Sequence, residues 1–350
     1  MGDEFVHQRQ GQCGIGAGLD RQMQIAFVGG FAAARVNADQ ACALAFGLLR
    51  DAPKMHAAGD DVAAPYKNEF AFGEVLHLHA YLAAKSLRQS LAAEHVWCQL
   101  FSEPGAGSDL GGLSTKAELD GDTFIVNGQK VWCSGGRYSN WGILMARTNF
   151  DAPKHEGISF FLCPMDTPGI EVRPLKQMTG ESEFDEVFFT DVHLPATSLL
   201  GPLHGGWGVG MAVLTSERGH IGASVIGLER RLESMAALGN NRELNPIERD
   251  RLAQLLSRGH AFKAMGKRQG PEASTAASLM KLGITEMMFD TAMLRGDLSG
   301  AAAMLEGNDA LGMLSAPGGR IAGGTSQVQR NIIGERLLGL PREPKPTKEK

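Results

Sequence analysis

The sequence predicts an α+β chain: a middle antiparallel β domain, a C-terminal four-helix bundle after it, and an abbreviated, partly helical N-terminal segment before it. Three observations carry that expectation. From Val96 onward, short β-rich runs alternate with turn clusters such as Leu119-Asp120-Gly121-Asp122, the texture of an antiparallel sheet or barrel. After Leu194-Pro195 the pattern turns helical over four stretches. Before Val96, Ala-rich stretches at 32–35 and 41–49 look helical but have no strong caps and no sustained apolar stripe.

The elements follow in order. Residues 1–95 form the atypical N-terminal segment. Its Gly14-Ile15-Gly16-Ala17-Gly18 run has no β run before it and lacks GxGxxG spacing, so it is not read as a dinucleotide fingerprint. His77 and His79 stand two apart with no third ligand candidate, so no metal site is expected. The β domain spans 96–203, with strands expected at 96–101, 115–119, 123–126, 130–134, 142–147, 157–163, 170–174 and 186–189. Asp120-Gly121-Asp122 and Asn127-Gly128 supply turns between neighbours, Asn-Gly being a strong hairpin signal. The bundle spans 204–340, with helices expected at 207–237, 247–266, 272–294 and 326–338. Pro271 and Glu272 suit the start of the third. The Gly-rich stretch 298–324 is expected to be a loop, functional or mobile, and the tail 341–350 to be disordered.

Composition limits the function classes. At 350 residues, 43% hydrophobic and 21% charged, the chain has ordinary globular values, which exclude a fibre, whole-chain disorder and a disulfide miniprotein. Its 45 glycines are close to twice the usual share of about 7%, so many tight turns and close backbone approaches are expected. A net charge of -5 provides no basic field for nucleic acid. No apolar run reaches the roughly 18 residues of a membrane helix, and Met1-Gly2-Asp3-Glu4 lacks the basic start of a signal peptide. The expected location is the cytoplasm, with no membrane partner. Cys13, Cys42, Cys98, Cys133 and Cys163 are odd in number and never in CxxC spacing, which predicts free thiols rather than a disulfide framework or a zinc site.

Three segments could carry chemistry. In the first, the β run Gln99-Leu100-Phe101-Ser102 leads into Glu103-Pro104-Gly105-Ala106-Gly107-Ser108-Asp109, a loop whose glycines let backbone amides approach a flat or anionic ligand. Alone, it could equally be a plain turn. The second is Asn127-Gly128 running into Lys130-Val131-Trp132-Cys133-Ser134, where an indole could wall a planar ring and Ser134 could hydrogen-bond it. A core tryptophan is the plainer reading. In the third, Gly323-Gly324 is followed by Thr325, a good helix N-cap, and free amides there would suit a phosphate or pyrophosphate.

Taken in this order and context, these segments resemble the acyl-CoA dehydrogenase family of flavoenzymes, over roughly 96–343. Residues 184–195 form a fourth matching block. The resemblance implies a helical N-terminal domain, a middle β domain and a C-terminal four-helix bundle that mediates homo- or hetero-oligomerisation. It also implies FAD, an acyl-CoA substrate oxidised between its α and β carbons, and an electron-transfer flavoprotein as acceptor. Carried over, Gln99, Leu100, Phe101, Ser102, Gly107 and Ser108 would line the flavin, with Ser102 near its reactive edge and Ser108 also touching CoA. Trp132, Cys133 and Ser134 would pack against and hydrogen-bond the isoalloxazine. Thr325 and Gln327 would contact the diphosphate and adenosine side.

Abstraction of an α proton from a thioester needs a carboxylate poised beside the flavin in a dry site. Many family members carry that Glu just before the Gly-Thr of the third segment, where this chain has Gly323. A minority carry it on a bundle helix, one residue before an Arg, and here Glu217 precedes Arg218. Glu217 has Val213, Leu214, His220 and Ile221 at helical spacing, a largely apolar stripe. A salt bridge is the plainer reading of Glu217. With Glu217 as base, Arg218, Gly323 and Gly324 fall on the substrate side, and Gly323 could offer its amide to the thioester carbonyl.

Three departures from the family pattern stand out. The first 95 residues show no clear match to the N-terminal domain. The Arg-x-x-Phe-Gly loop between bundle helices has no counterpart near 258–267. The Gly-Gly-x-Gly-Tyr segment is replaced by Ser315-Ala316-Pro317-Gly318-Gly319-Arg320. These resemble heteromeric members from actinobacterial steroid and lipid catabolism, in which two chains share fewer flavins. Two alternatives therefore stand beside a catalytic subunit: a non-catalytic or incomplete partner chain, and an acyl-CoA oxidase.

Overall fold

The computed structural model describes residues 23–24, 35–36, 89–90, 92–223, 232–237, 243–266 and 273–342, with the backbone alone at 23–24, 35–36, 215–223 and 273–276. The chain divides into two units, one of 1–26 and 33–95, the other of 27–32 and everything from Val96 on. In the first unit, β1 (Met23–Gln24) pairs antiparallel with β2 (Arg35–Val36). Arg35, expected in a helical stretch, is therefore in a strand. The other N-terminal expectations, including Gly14 to Gly18, His77 and His79, lie outside the described residues, as do Pro271, Glu272 and the tail from 343.

The second unit opens with one mixed sheet of seven strands. They are β3 (Trp97–Leu100), β4 (Lys116–Asp120), β5 (Thr123–Ser134), β6 (Trp141–Arg147), β7 (Ile158–Pro164), β8 (Ile170–Leu175) and β9 (Phe184–Pro195). The order is β3-β6-β4-β5-β9-β8, with β7 also on β6. Most pairings are antiparallel as expected, but β6 runs parallel to β3 and meets β4 in parallel register. The β4 to β5 hairpin turns at Gly121, whose φ of +61° is one that glycine adopts without strain, with Asp120 opposite Thr123.

Asn127-Gly128 is not a turn, which corrects the sequence reading. The two strands expected on either side of it are one strand, β5, paired with β9 along its length and interrupted by irregularities at Val126 to Gly128 and Lys130 to Cys133. At the first bulge the Asn127 side chain takes over the ladder, donating to Asp191 Oδ1 at 3.0 Å and accepting from the Asp191 amide at 2.9 Å. Glycine is needed at 128 for close approach: a Cβ there would lie 2.5 Å from Thr115 Oγ1 and 2.7 Å from its Cα. Alternating residues Phe124, Val126, Cys133, Val187, Val192 and Leu194 fill the core with Leu100, Leu144 and Phe161. Phe124 and Phe161 meet edge to face at 4.9 Å.

The helical part comprises α1 (Gly206–Ala223), helical residues 232–237, α2 (Pro246–Met265), α3 (Ala273–Ser299), α4 (Asn308–Gly319) and α5 (Ser326–Ile332), which runs into a π turn at Ile333–Leu337. The start of α2 is set by a capping box, Asn245 and Glu248 exchanging side-chain to backbone bonds at 2.9 Å, with Pro246 in the first turn. α3 is central, touching α1, α2, α4 and α5. Its glycine admits a neighbour: a Cβ at Gly283 would fall 2.0 Å from Phe262 of α2. The stretch 298–324, expected to be a loop, contains α4. Small residues there are packing partners rather than loop formers, since the Met313 sulfur would lie 2.2 Å from a Cβ on Gly296 of α3. Asp309 in the first turn of α4 is fixed by Arg295 Nε at 3.0 Å and by the Ser299 hydroxyl.

Candidate functional site

The loop after β3 is organised by a charge the sequence reading passed over. Glu103 is buried and accepts four hydrogen bonds: from the Ser114 amide (2.7 Å), Ser114 Oγ (2.8 Å), the Thr115 amide (2.8 Å) and Lys130 Nζ (2.8 Å). Lys130, with no exposure, also donates to the Phe101 carbonyl at 3.0 Å. Burial alone would raise Glu103, but the Lys130 charge and the hydrogen bonds from Lys130, Thr115 and Ser114 outweigh it and hold the carboxyl at about 2. Burial pushes Lys130 down to about 8 even with Glu103 beside it. A lone lysine within the run Val126 to Cys133 is the signal that could have exposed this pair.

This pair joins the first two segments. The Val131 amide donates to the Ser102 carbonyl at 2.9 Å, stitching the loop to β5. At the second bulge, where Trp132 takes φ +61°, the alternation changes phase: Lys130 and Val131 are both buried in succession, Cys133 is buried, and Trp132 stands 57% exposed with its ring edge-on to Phe184 at 5.8 Å. Trp132 is therefore not a core residue, which corrects the plainer reading. Ser102, Gln99 and Ser134 are half-buried, Leu100, Phe101 and Cys133 are buried, and Gly107 and Ser108 are exposed. No side chain comes within 4 Å of a Cβ built on Gly105 or Gly107. Behind the loop, the buried Arg147 donates to the carbonyls of Gly111 (2.6 Å) and Leu113 (3.0 Å), and Lys154 holds Asp109 at 2.7 Å.

α1 is delivered to this same place. Phe101 and Ala106 form a cluster with Met145, Ile158 and Phe160, onto which Val213 and Leu214 of α1 pack. The approach is close because Gly206 and Gly210 face the sheet, where Cβ atoms would come 2.4 Å from the Ser159 backbone and 2.7 Å from the Met145 sulfur. Glu217 and Arg218 follow on the next turn of the helix backbone.

The third segment is a turn on the helical side, with no hydrogen bond to the other two among the described residues. Gly323 and Gly324 have φ +63° and +92°. The Gly323 carbonyl accepts from Gln329 Nε2 at 3.1 Å and the Gly324 carbonyl from Lys281 Nζ at 2.6 Å. With both carbonyls turned inward, the amides of Gly323, Gly324 and Thr325 donate to no group among the described residues. Thr325 caps α5 by accepting from the Val328 amide at 3.2 Å. Ser326 binds Glu286 at 2.7 Å, and Arg320 pairs with Glu286 at 2.9 Å while lying over the Phe289 ring. Pro317, Arg320, Ile321, Thr325, Ser326 and the exposed Gln327 line an open cleft. No group of three or more metal-ligating side chains occurs among the described residues, and no described helix is long and apolar enough to cross a membrane.

Comparison with known proteins agrees with this architecture. The model for the acyl-CoA dehydrogenase middle domain matches residues 98–192, and that for the acyl-CoA dehydrogenase C-terminal domain matches 204–338. The acyl-CoA dehydrogenase IpdE1 of Mycobacterium tuberculosis is 38% identical over 263 residues, 71% of this chain and 68% of IpdE1. The acyl-CoA dehydrogenase FadE34 of the same organism is 37% identical over 259 residues; these are 72% of this chain, which spans only 36% of that relative. Among solved structures, the Tcur3481-Tcur3483 steroid ACAD, as its G363A variant, superposes with a TM-score of 0.69 at 26% identity, covering 77% of this chain and 76% of that one. With both family domains matched in sequence order, and the β domain and helices standing where they require, the chain belongs to the acyl-CoA dehydrogenase family.

Proposed function

We propose that this chain binds FAD and dehydrogenates an acyl-CoA thioester between its α and β carbons, with Glu217 as the base. The observation that carries the reading is the joining of the first two segments by the Val131 to Ser102 bond and the buried Glu103 and Lys130 pair, which sets an anchored, exposed indole beside a glycine loop open to a ligand. The residues present fit the flavin. Trp132 offers a flat apolar wall, Ser102 and Ser134 offer hydroxyls at a half-buried rim, and Gln99 to Phe101 close the floor. Gly107 leaves the loop open to the flavin, and the exposed Ser108 can also reach the substrate's CoA part. On the helical side, Thr325 and Gln327 suit the diphosphate and adenosine side.

Bound FAD supplies a hydride acceptor for the substrate's β carbon. The chain's own task is to remove the α proton and to steady the charge that appears on the thioester oxygen. Glu217 takes that proton on its carboxylate, one helical turn beyond Val213 and Leu214, which pack against Phe101 at the base of the loop. Arg218 and the Gly323 and Gly324 amides serve the substrate side, an amide of the turn donating to the thioester oxygen as its charge grows. Steroid or other lipid acyl chains are the substrate class suggested by similarity to a steroid ACAD. Electron-transfer flavoprotein is the proposed acceptor, and the helical domain the proposed surface for homo- or hetero-oligomer contacts.

A second reading is a partner subunit without its own turnover, favoured by the Ser315 to Arg320 segment, which is helical up to Gly319 where the family has its Gly-Gly-x-Gly-Tyr run. Incubation with acyl-CoAs and an artificial electron acceptor distinguishes the two. A catalytic chain forms the enoyl-CoA and is silent with oxygen alone, whereas an oxidase makes hydrogen peroxide and a partner subunit makes neither.

A further inference from the structure

Lys281 sits in the middle of α3 with 1% of its surface exposed, in the run Ser278-Leu279-Met280-Lys281-Leu282. A buried ammonium is costly, and a methionine would fill the same space without that cost. Its hydrogen-bond partner is the Gly324 carbonyl at 2.6 Å, not a carboxylate. Gln329, with no exposed surface, reaches back from α5 to the neighbouring carbonyl of Gly323, and its Oε1 is buried without a partner. Two buried polar side chains from different helices thus hold two successive carbonyls of one turn.

We propose that Lys281 and Gln329 are positioning residues that clamp the Gly323 and Gly324 turn with its carbonyls inward, so that the amides of Gly323, Gly324 and Thr325 face the substrate and cofactor. This rests on the reading of the site given above. An unclamped Gly-Gly peptide pair has several accessible conformations of either φ sign. In most of them a carbonyl oxygen would point where an anion or a developing oxyanion must be met by N–H groups. The clamp removes that freedom before any ligand arrives, which is what preorganised donors require. Gly324 in turn leaves room for the clamp: a Cβ there would lie 2.6 Å from Gln329 Nε2, which would have to shift. Burial lowers Lys281 to about 8 against the pull of Glu286, its charged neighbour on α3. The amine keeps its N–H donors in either protonation state, so the clamp does not depend on its charge.

The test uses the full chain with Lys281→Met and, in case that variant does not fold, Gln329→Leu. Hydrogen exchange is followed without substrate at the amides of Ser326, Val328 and Gln329, which are held to Arg320 and Thr325. Loss of either clamp residue should speed exchange there by about tenfold while α2 and the sheet are unchanged. In the loaded enzyme, kcat should fall by about tenfold to a hundredfold, the scale of an ångström's misplacement, with KM shifting less than kcat and melting temperature close to wild type. Exchange unchanged at the turn, faster exchange spread over α2 as well, or unaltered kcat in a folded variant would each overturn the clamp. A wild-type chain with no turnover would instead remove the functional reading, while the exchange result would still judge the clamp itself.

Discussion

Lys130 has no exposed surface and Glu103 only 5% of its side chain, so bulk water scarcely screens or replaces their contact and each depends on the other. Lys130→Met should leave a buried carboxylate with its amide donors but no counter-charge and cost about 3–5 kcal/mol, measured by denaturant unfolding. The double variant Glu103→Gln with Lys130→Met should lose less, because no uncompensated charge is left. Glu103 also sets an acid limit. Its carboxyl ordinarily titrates near 4.5 and is held at about 2 in the fold, so between these values the unfolded chain binds the extra proton and stability falls as pH falls. The contribution is complete above pH 4.5 and lost on acidification towards 2. Unfolding midpoints taken between pH 5 and 2.5 should drop more steeply for the wild type than for the double variant. At this scale the sequence pointed to Ser102, Trp132 and Thr325, the residues proposed to face the ligand, because their types and spacings are local signals. The supports Glu103, Lys130, Lys281 and Gln329 are recognised by partners 27 and 43 residues away or by burial, which no local pattern contains.

Elements were legible where one periodicity governed them and misread where two packing demands met. β6 and β7 and the start of α2 stand close to their expected bounds because apolar runs and a capping box determine them. Asn127-Gly128 has the chemistry of a hairpin turn, yet β9 pairs along both halves of β5 and pulls the dipeptide into the sheet as a bulge. The true turn at Gly121 has open space around it, whereas Gly128 is pressed on Thr115. Gly121→Ala should therefore cost about 1–2 kcal/mol from its left-handed φ alone. Gly128→Ala adds overpacking of about 1–3 kcal/mol against backbone and should be the worse of the two in thermal unfolding. Equal effects would deny that the bulge is a close-packed contact. α4 escaped notice because Gly, Ser and Pro dominate its second half, while Met313 and Asp309, which fix it on α3, are ordinary residues in sequence.

For the whole molecule, two domains of the family follow one another in the sequence order the family models require, and the similarity to IpdE1 extends over 71% of the chain. In the proposed site the β domain supplies the wall and the loop, α1 carries Glu217 on the turn after Val213 and Leu214, and the helical side presents the glycine turn. Homo- or hetero-oligomer contacts through the helical domain, with a second copy or a second chain, are part of the proposal. Flavin content per chain should then rise on co-expression with that partner. The most direct test of the central claim is anaerobic addition of an acyl-CoA to the flavin-loaded chain, wild type and Glu217→Gln, following the visible absorbance of oxidised flavin. The account predicts bleaching in the wild type and a rate lower by about a hundredfold to ten-thousandfold in the variant, the usual contribution of a general base. Bleaching at the wild-type rate in Glu217→Gln, or a chain that takes up no flavin either alone or with a partner chain, would contradict it.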